Sequence, residues 1–244
     1  MMIVVGIGHK ARQGKDYFCK YLVERGVQNA HIHIIHFADA LYEEVRNIER
    51  KYPLIQIEPY STEGRRFFSI LHNSATGSRL TNSFEYCPSL EKLMQQRNIT
   101  KYWGMDEKDS EILQIWGTDI RRNYFDPDYW VKRLEKKLQA ISLLPGNHLV
   151  LIPDTRFLNE LALIINYGGY YVEVARINED GSRYIAKDRD PQHRSETELD
   201  QAPAHYFATC YSGDLDRLKA HAESFAYLVA SSFTANKNST IGNI

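Results

Sequence analysis

Cysteine is scarce in this chain. Cys19, Cys87 and Cys210 are the three in 244 residues, and they stand far apart. That spacing excludes a Cys-x-x-Cys metal or redox pair, and reduced thiols in a cytoplasmic protein are the expectation. An excess of charge of one sign is also missing, since 30 Lys+Arg meet 31 Asp+Glu for a net charge of −1. No overall field therefore draws the chain to nucleic acid or to an anionic membrane, and any such contact would rest on a local patch. No apolar run is long enough to span a bilayer, no leader-like segment is read, and no internal repeat or low-complexity tract occurs. The expectation is a chain without a membrane partner. What remains is 43% hydrophobic residues, enough for one α/β domain carrying an insertion or a lid.

The stretch Ile3-Val4-Val5-Gly6-Ile7-Gly8 is apolar and β-branched, so it reads as a strand buried on both faces. His9-Lys10-Ala11-Arg12-Gln13-Gly14-Lys15-Asp16 follows, and a helix starts near Lys15. This strand–turn–helix is the layout of a phosphate-binding loop. Backbone N–H groups of such a turn wrap phosphate oxygens, and the helix N-terminus adds partial positive charge. Lys15 would reach the terminal phosphates as a point charge. The loop departs from the usual pattern twice. His9 stands where the first glycine is expected, and Asp16 holds the place of the magnesium-binding hydroxyl. A carboxylate there would hold the metal directly or through water, or would simply cap the helix. An ordinary βα turn with a surface lysine is the alternative for the whole stretch.

Along the chain, the first helix runs to Arg25 and Gly26 stops it. Ile32, Ile34, Ile35 and Phe37 predict a second strand, and Ala38-Asp39-Ala40-Leu41 leads into a helix with Val45 and Ile48. Periodicity is lost from Tyr52 to about Asp106. This insertion carries Arg65, Arg66, Phe67, Phe68, Arg79, Tyr102 and Trp103. Interleaved Arg and aromatic residues can stack on bases, but they also pack small lobes. Helical spacing returns over Glu107–Arg122. Asp126-Pro127-Asp128 makes a turn and cap before a helix with Trp130, Leu134, Leu138 and Ile141 on one face.

His148–Pro153 predicts a third strand, ending in Asp154-Thr155-Arg156. A carboxylate at the C-terminal end of a parallel strand lies where open α/β sheets bind ligands, and phosphate chemistry needs one there to orient magnesium. The competing role for Asp154 is a helix cap. Arg156 offers a bidentate phosphate clamp. Tyr170–Ile177 is a fourth strand. Residues 178–194 read as a lid or as a charged surface hairpin, with four Lys/Arg against two Asp between Arg183 and Arg194. Tyr206–Tyr211 is a fifth strand, and a helix runs from Asp214 to about Val229. The alternation implies a mostly parallel five-stranded sheet covered on both faces. The expected organisation is a core of 1–51 and 107–233, an inserted lobe of 52–106 and a flexible tail of 234–244.

Several pieces together resemble one family. They are the loop ending Gly14-Lys15-Asp16, Phe37-Ala38-Asp39-Ala40-Leu41, Leu113-Gln114-Ile115-Trp116-Gly117-Thr118-Asp119 with Arg122, Asp128-Tyr129-Trp130, Asp154-Thr155-Arg156-Phe157-Leu158-Asn159-Glu160, and His193-Arg194-Ser195-Glu196. This ordered set resembles the deoxynucleoside monophosphate kinases of tailed bacteriophages, which are P-loop kinases of three-layer αβα architecture. The resemblance implies transfer of the ATP γ-phosphoryl group to a 5′-deoxynucleoside monophosphate, with magnesium, in the host cytoplasm if the gene is a phage's. It implies that Lys15 and the amides of residues 9–16 hold the ATP phosphates, and that Asp16 and Asp154 organise magnesium. Arg122 and Arg156 would fix the acceptor phosphate, and Arg189 and Arg194 would act from the lid. Trp130 and Arg65 are further candidates for the acceptor side, Arg65 from the 52–106 insertion that the resemblance does not cover. Tyr42 stands where related sequences often have Lys.

Two other readings stay open. In one, a kinase of the same fold phosphorylates a hydroxymethylpyrimidine base within DNA. A hydroxyl acceptor needs a base to take its proton, and Asp39 at the end of the second strand is the candidate. In the other, the chain is a non-catalytic nucleotide-binding module. Base preference and a homodimer are left open by the sequence.

Overall fold

The computed structural model describes residues 1–51, 113, 117–118, 121–123, 126–187 and 190–241, with the side chains of 45–51 and 235–241 excepted. The chain divides into two compact units, 1–37 with 131–244, and 38–130. The 52–106 insertion with Arg65, as well as Arg189 and Cys87, lies outside the described residues.

The first unit is built on five strands: β1 (Met2–Gly8), β2 (His31–Ile34), β3 (His148–Thr155), β4 (Tyr170–Ile177) and β5 (Tyr206–Tyr211). Their order is β2-β3-β1-β4-β5, and every pairing is parallel. The hydrophobic runs explain this arrangement. Ile3–Gly8 and Leu149–Ile152 are buried without interruption, which suits central strands covered on both faces. On one face, Ile3, Val5, Ile7, Leu149, Leu151, Val172, Val174, Ala208 and Cys210 meet α1 (Lys15–Arg25) and the last helix. On the other face lies the helix Leu158–Asn166. A Cβ on Gly6 would stand 2.3 Å from Ile164 Cδ1 and 2.9 Å from Thr155 Oγ1, so only glycine lets that helix sit so close. Helices on both sides of a parallel sheet fit the three-layer αβα expectation.

Among the described residues the helices with assigned bounds are, in chain order, α1, α2 (Ala38–Lys51), α3 (Tyr129–Ser142), α4 (Leu158–Asn166), α5 (Arg194–Thr197) and α6 (Leu215–Ile241). Three boundaries differ from the sequence expectation. The second strand stops at Ile34 rather than Phe37. Ile35 N–H still reaches Leu151 O at 3.1 Å, but Phe37 N–H is taken by Asp154 Oδ1 at 3.0 Å, so a side chain ends the ladder. The third strand runs past Pro153 to Thr155. Gly6 pairs with Ile152 and Gly8 with Thr155, so β3 carries one extra residue and the proline falls at a bulge, where its missing N–H costs no ladder bond. The last helix continues beyond Val229 to Ile241 because its buried stripe Leu218, Ala222, Phe225, Ala226, Val229 runs on to Phe233.

In the second unit, Glu44 of α2 accepts from Arg121 Nε at 2.9 Å and from the Tyr129 hydroxyl. The Arg121 guanidinium lies 4.6 Å over the Tyr129 ring. Asp126 Oδ1 accepts the Asp128 N–H at 2.9 Å, the turn expected there. No helix among the described residues is long and apolar enough to cross a membrane.

Candidate functional site at the C-terminal edge of the sheet

The β1–α1 turn leaves the C-terminal end of the central strand. Connections diverge here, since α1 carries the chain toward β2 on one side while β4 lies on the other, the topological position where open α/β sheets take ligands. Arg12 (φ 56) and Gly14 (φ 98) both adopt left-handed backbone, the conformation that anion-binding nests use to turn successive N–H groups toward one side. Gly14 precedes α1, and the first helical bond runs from Phe18 N–H to Gly14 O at 3.0 Å.

Every side chain of the turn except Arg12 and Asp16 is drawn inward. His9, where glycine is usual, is fully buried. Its ring nitrogens lie 3.1 Å from the Tyr171 hydroxyl and 2.7 Å from Asp200 Oδ1. Burial lowers its pKa below the ordinary value, with the Asp200 hydrogen bond opposing. Lys10 bridges Asp200 Oδ1 at 2.6 Å and Glu196 O at 2.8 Å. Burial raises the Asp200 pKa, but the hydrogen bonds from Lys10 and His9 outweigh it and hold the carboxyl low. Gln13 ties the turn to its neighbours. Its Oε1 accepts Arg176 N–H at 2.8 Å, and its Nε2 donates to Ala11 O at 3.1 Å and Tyr184 O at 2.9 Å.

Lys15 points back into the turn and donates to Lys10 O. Burial, then the neighbouring Arg156 charge, pulls its pKa from 10.5 to about 7, against Glu196, Asp16 and Asp154. A cation this poorly solvated is set up to gain an anionic partner. Asp154, on the β3 bulge, is half-buried; Asp16 is exposed in the first turn of α1. Arg156 pairs with Glu196 Oε1 and reaches Ser195 O at 3.3 Å. Two local bonds fix where Arg156 and α4 begin: Glu160 Oε2 accepts the N–H groups of Arg156 at 2.7 Å and Phe157 at 3.2 Å.

The site thus gathers Lys15, Asp16, Asp154 and Arg156 of the sequence candidates, with Ala11 and Gln13 of the loop. Arg194 is exposed, pairs with Glu198, and sits 5.6 Å over the Phe157 ring. Asp39, Arg122 and Trp130 belong to the second unit. There Asp39 is in the first turn of α2, Arg122 Nη1 donates to Pro127 O at 3.3 Å, and Trp130 Nε1 donates to Gly117 O at 2.9 Å. Residues 178–184 turn back along β4 as a hairpin, with Ile177 bridged to Arg183 and Asn178 N–H on Ser182 O at 2.8 Å. Arg183 Nη1 pairs with Glu173 Oε1 at 2.5 Å, while its Nε and Nη2 are buried without a hydrogen-bond partner among the described residues.

Sequence reasoning missed Asp200 and Tyr171, and it gave Glu196 no role although His193-Arg194-Ser195-Glu196 is one of the pieces that carry the resemblance. Glu196 and Asp200 lie far along the chain from the loop, so their contacts with it are not written in any local pattern. Among the described residues no group of three His, Cys, Asp or Glu is placed to hold a metal alone. Asp16 and Asp154 both act electrostatically on Lys15, which fits a magnesium ion of the kind held by one or two carboxylates plus substrate phosphates. Against known proteins, no family model matches this chain, and no curated protein matches it.

Proposed function

We propose that this chain is a P-loop nucleotide kinase that moves the γ-phosphoryl group of ATP to a 5′-deoxynucleoside monophosphate. The observation that carries the reading is Lys15. It is a buried, under-solvated cation in a turn with two left-handed residues, at the end of the central parallel strand. Asp154 and Arg156, at the end of the adjacent strand, supply a carboxylate and a guanidinium beside it.

In this mechanism the protein supplies positioning and charge, since in-line phosphoryl transfer needs little covalent help. The turn amides and Lys15 hold the transferring phosphates. Arg156 clamps phosphate oxygens and offsets charge that develops on them. Asp16 and Asp154 would hold magnesium, which when bound neutralises phosphate charge. An acceptor phosphate is already ionised at neutral pH, so this acceptor requires no base.

The test is a transfer assay with labelled ATP and magnesium, run on wild type and Lys15→Ala. Acceptors are the standard dNMPs and hydroxymethyl-dUMP, free and within an oligonucleotide. Label on free dNMPs, lost in Lys15→Ala, supports the reading. Label on the oligonucleotide alone moves the function to DNA-base phosphorylation, with Asp39 next to mutate. ATP binding without transfer to any acceptor leaves a binding module.

A further inference from the structure

Glu196 stands where an anion belongs. Its Oε2 accepts the Ala11 N–H at 2.9 Å inside the β1–α1 turn, and its Oε1 accepts from Arg156 Nη1. These are one turn amide and one guanidinium from the set that the functional reading gives to phosphate. The residue is 4% exposed. Carboxylate and phosphate oxygens are equivalent acceptors for such donors. Two anions cannot share them in a buried pocket, because their repulsion there is poorly screened.

Resting on the phosphate-loop reading, we propose that the Glu196 carboxylate is a built-in competitor for the loop: it holds the Ala11 N–H and Arg156 until an entering nucleoside polyphosphate displaces it. The neighbouring anchors allow this by rotation of one side chain. Glu198 Oε1 accepts the Leu158 N–H at 2.9 Å, the His193 ring accepts the Ser195 N–H at 3.2 Å, and Asp200 holds His9 and Lys10. None of these bonds uses the Glu196 carboxylate, so the backbone of this segment stays fastened when that carboxylate leaves. The consequence is a penalty on affinity. The loop binds phosphate only in the fraction of molecules that have released Glu196, and apparent affinity falls by that fraction. Arg156 meanwhile is never left as an unpaired, part-buried charge, which would be costly.

Calorimetric titration with inorganic tripolyphosphate, without metal, tests this on wild type and Glu196→Gln. The variant keeps the shape but loses the charge that holds Arg156, and it is expected to bind about tenfold tighter. Equal or weaker binding by Glu196→Gln, with wild type still binding, overturns the competitor and makes Glu196 a brace for the turn, while the phosphate loop stands. Absence of binding of both tripolyphosphate and ATP to both proteins overturns the competitor and the phosphate loop together. Should Glu196→Gln fail to fold, the wild type carries the test by NMR. Saturating tripolyphosphate is expected to shift both the Ala11 amide and the Glu196 side-chain carboxyl resonance. An unmoved Glu196 carboxyl overturns the proposal.

Discussion

His9 Nε2 and Asp200 Oδ1 lie 2.7 Å apart across 191 residues of sequence. This contact fastens the first residue of the loop to the segment that follows α5, and the Tyr171 hydroxyl holds the other ring nitrogen at 3.1 Å. It explains how a histidine stands at a position where glycine is usual: the ring is fully buried and both its nitrogens are satisfied, so the turn is braced rather than disrupted.

That brace is pH-sensitive. The folded-state pKa of His9 is lowered from 6.5, chiefly by burial. The unfolded chain therefore binds more protons as pH drops below 6.5, so the contribution is complete above that pH and is lost on acidification. Between about pH 7.5 and about pH 5.5, the wild type should lose more in Tm than His9→Gln does. Thermal melts at the two pH values check this, and equal losses would refute it.

Lys15 sets a proton signature. With its pKa pulled down to about 7, the side chain is largely neutral at about pH 8, and under the proposed function a bound phosphate would restore its charge. ATP binding at that pH should be accompanied by net proton uptake, read by calorimetry in buffers of different ionisation enthalpy. Below the folded pKa the lysine stays charged at the full cost of burial. As pH rises from about 7 toward 10.5, the unfolded chain binds more protons and stability increases. Lys15→Met should therefore raise Tm at neutral pH while lowering turnover by about 10³ or more.

Gly6 is fixed by the approach of α4. Gly6→Ala would put Cβ 2.3 Å from Ile164 Cδ1, and overpacking of this kind costs about 1–3 kcal/mol. Ile164→Val removes that carbon. The double variant should recover about 1 kcal/mol relative to the sum of the single ones, and denaturant unfolding measures it. Strict additivity would mean that the sheet and helix relax apart instead.

Asp154 has two separable roles. Its Oδ1 accepts the Phe37 N–H at 3.0 Å, and its charge is the one that the proposed function would use for magnesium. Asp154→Asn retains an acceptor, so stability should change by less than about 1 kcal/mol, while the magnesium needed for half-maximal transfer rises about tenfold or more. Asp154→Ala should also lose about 1–3 kcal/mol, because the Phe37 N–H is left without its acceptor. Unchanged magnesium dependence in Asp154→Asn would remove the metal role.

The elements of the first unit were legible in the sequence because they are written locally. The continuous apolar run of Ile3–Gly8 announces a central parallel strand. Gly14-Lys15 announces a turn into a helix, and Gly26 announces its stop. The placement of Asp154 and Arg156 at a strand end was equally visible. The length of the third strand was misjudged at Pro153, since a bulge depends on the partner strand. The end of β2 was misjudged because the group that takes the Phe37 N–H lies 117 residues away.

The sequence by itself determined an α/β chain with five strands and a phosphate-loop-like turn, for local periodicity and backbone preference are short-range properties. Only the tertiary structure decided the strand order β2-β3-β1-β4-β5, the bulge that aims Asp154, and the meeting of Glu196 and Asp200 with the turn. Those contacts join residues 185 and more positions apart. They arise because the sheet and the helices packed on its two faces are assembled by burial of apolar surface, and charge and hydrogen-bond partners are then set by which loops that packing brings to one edge.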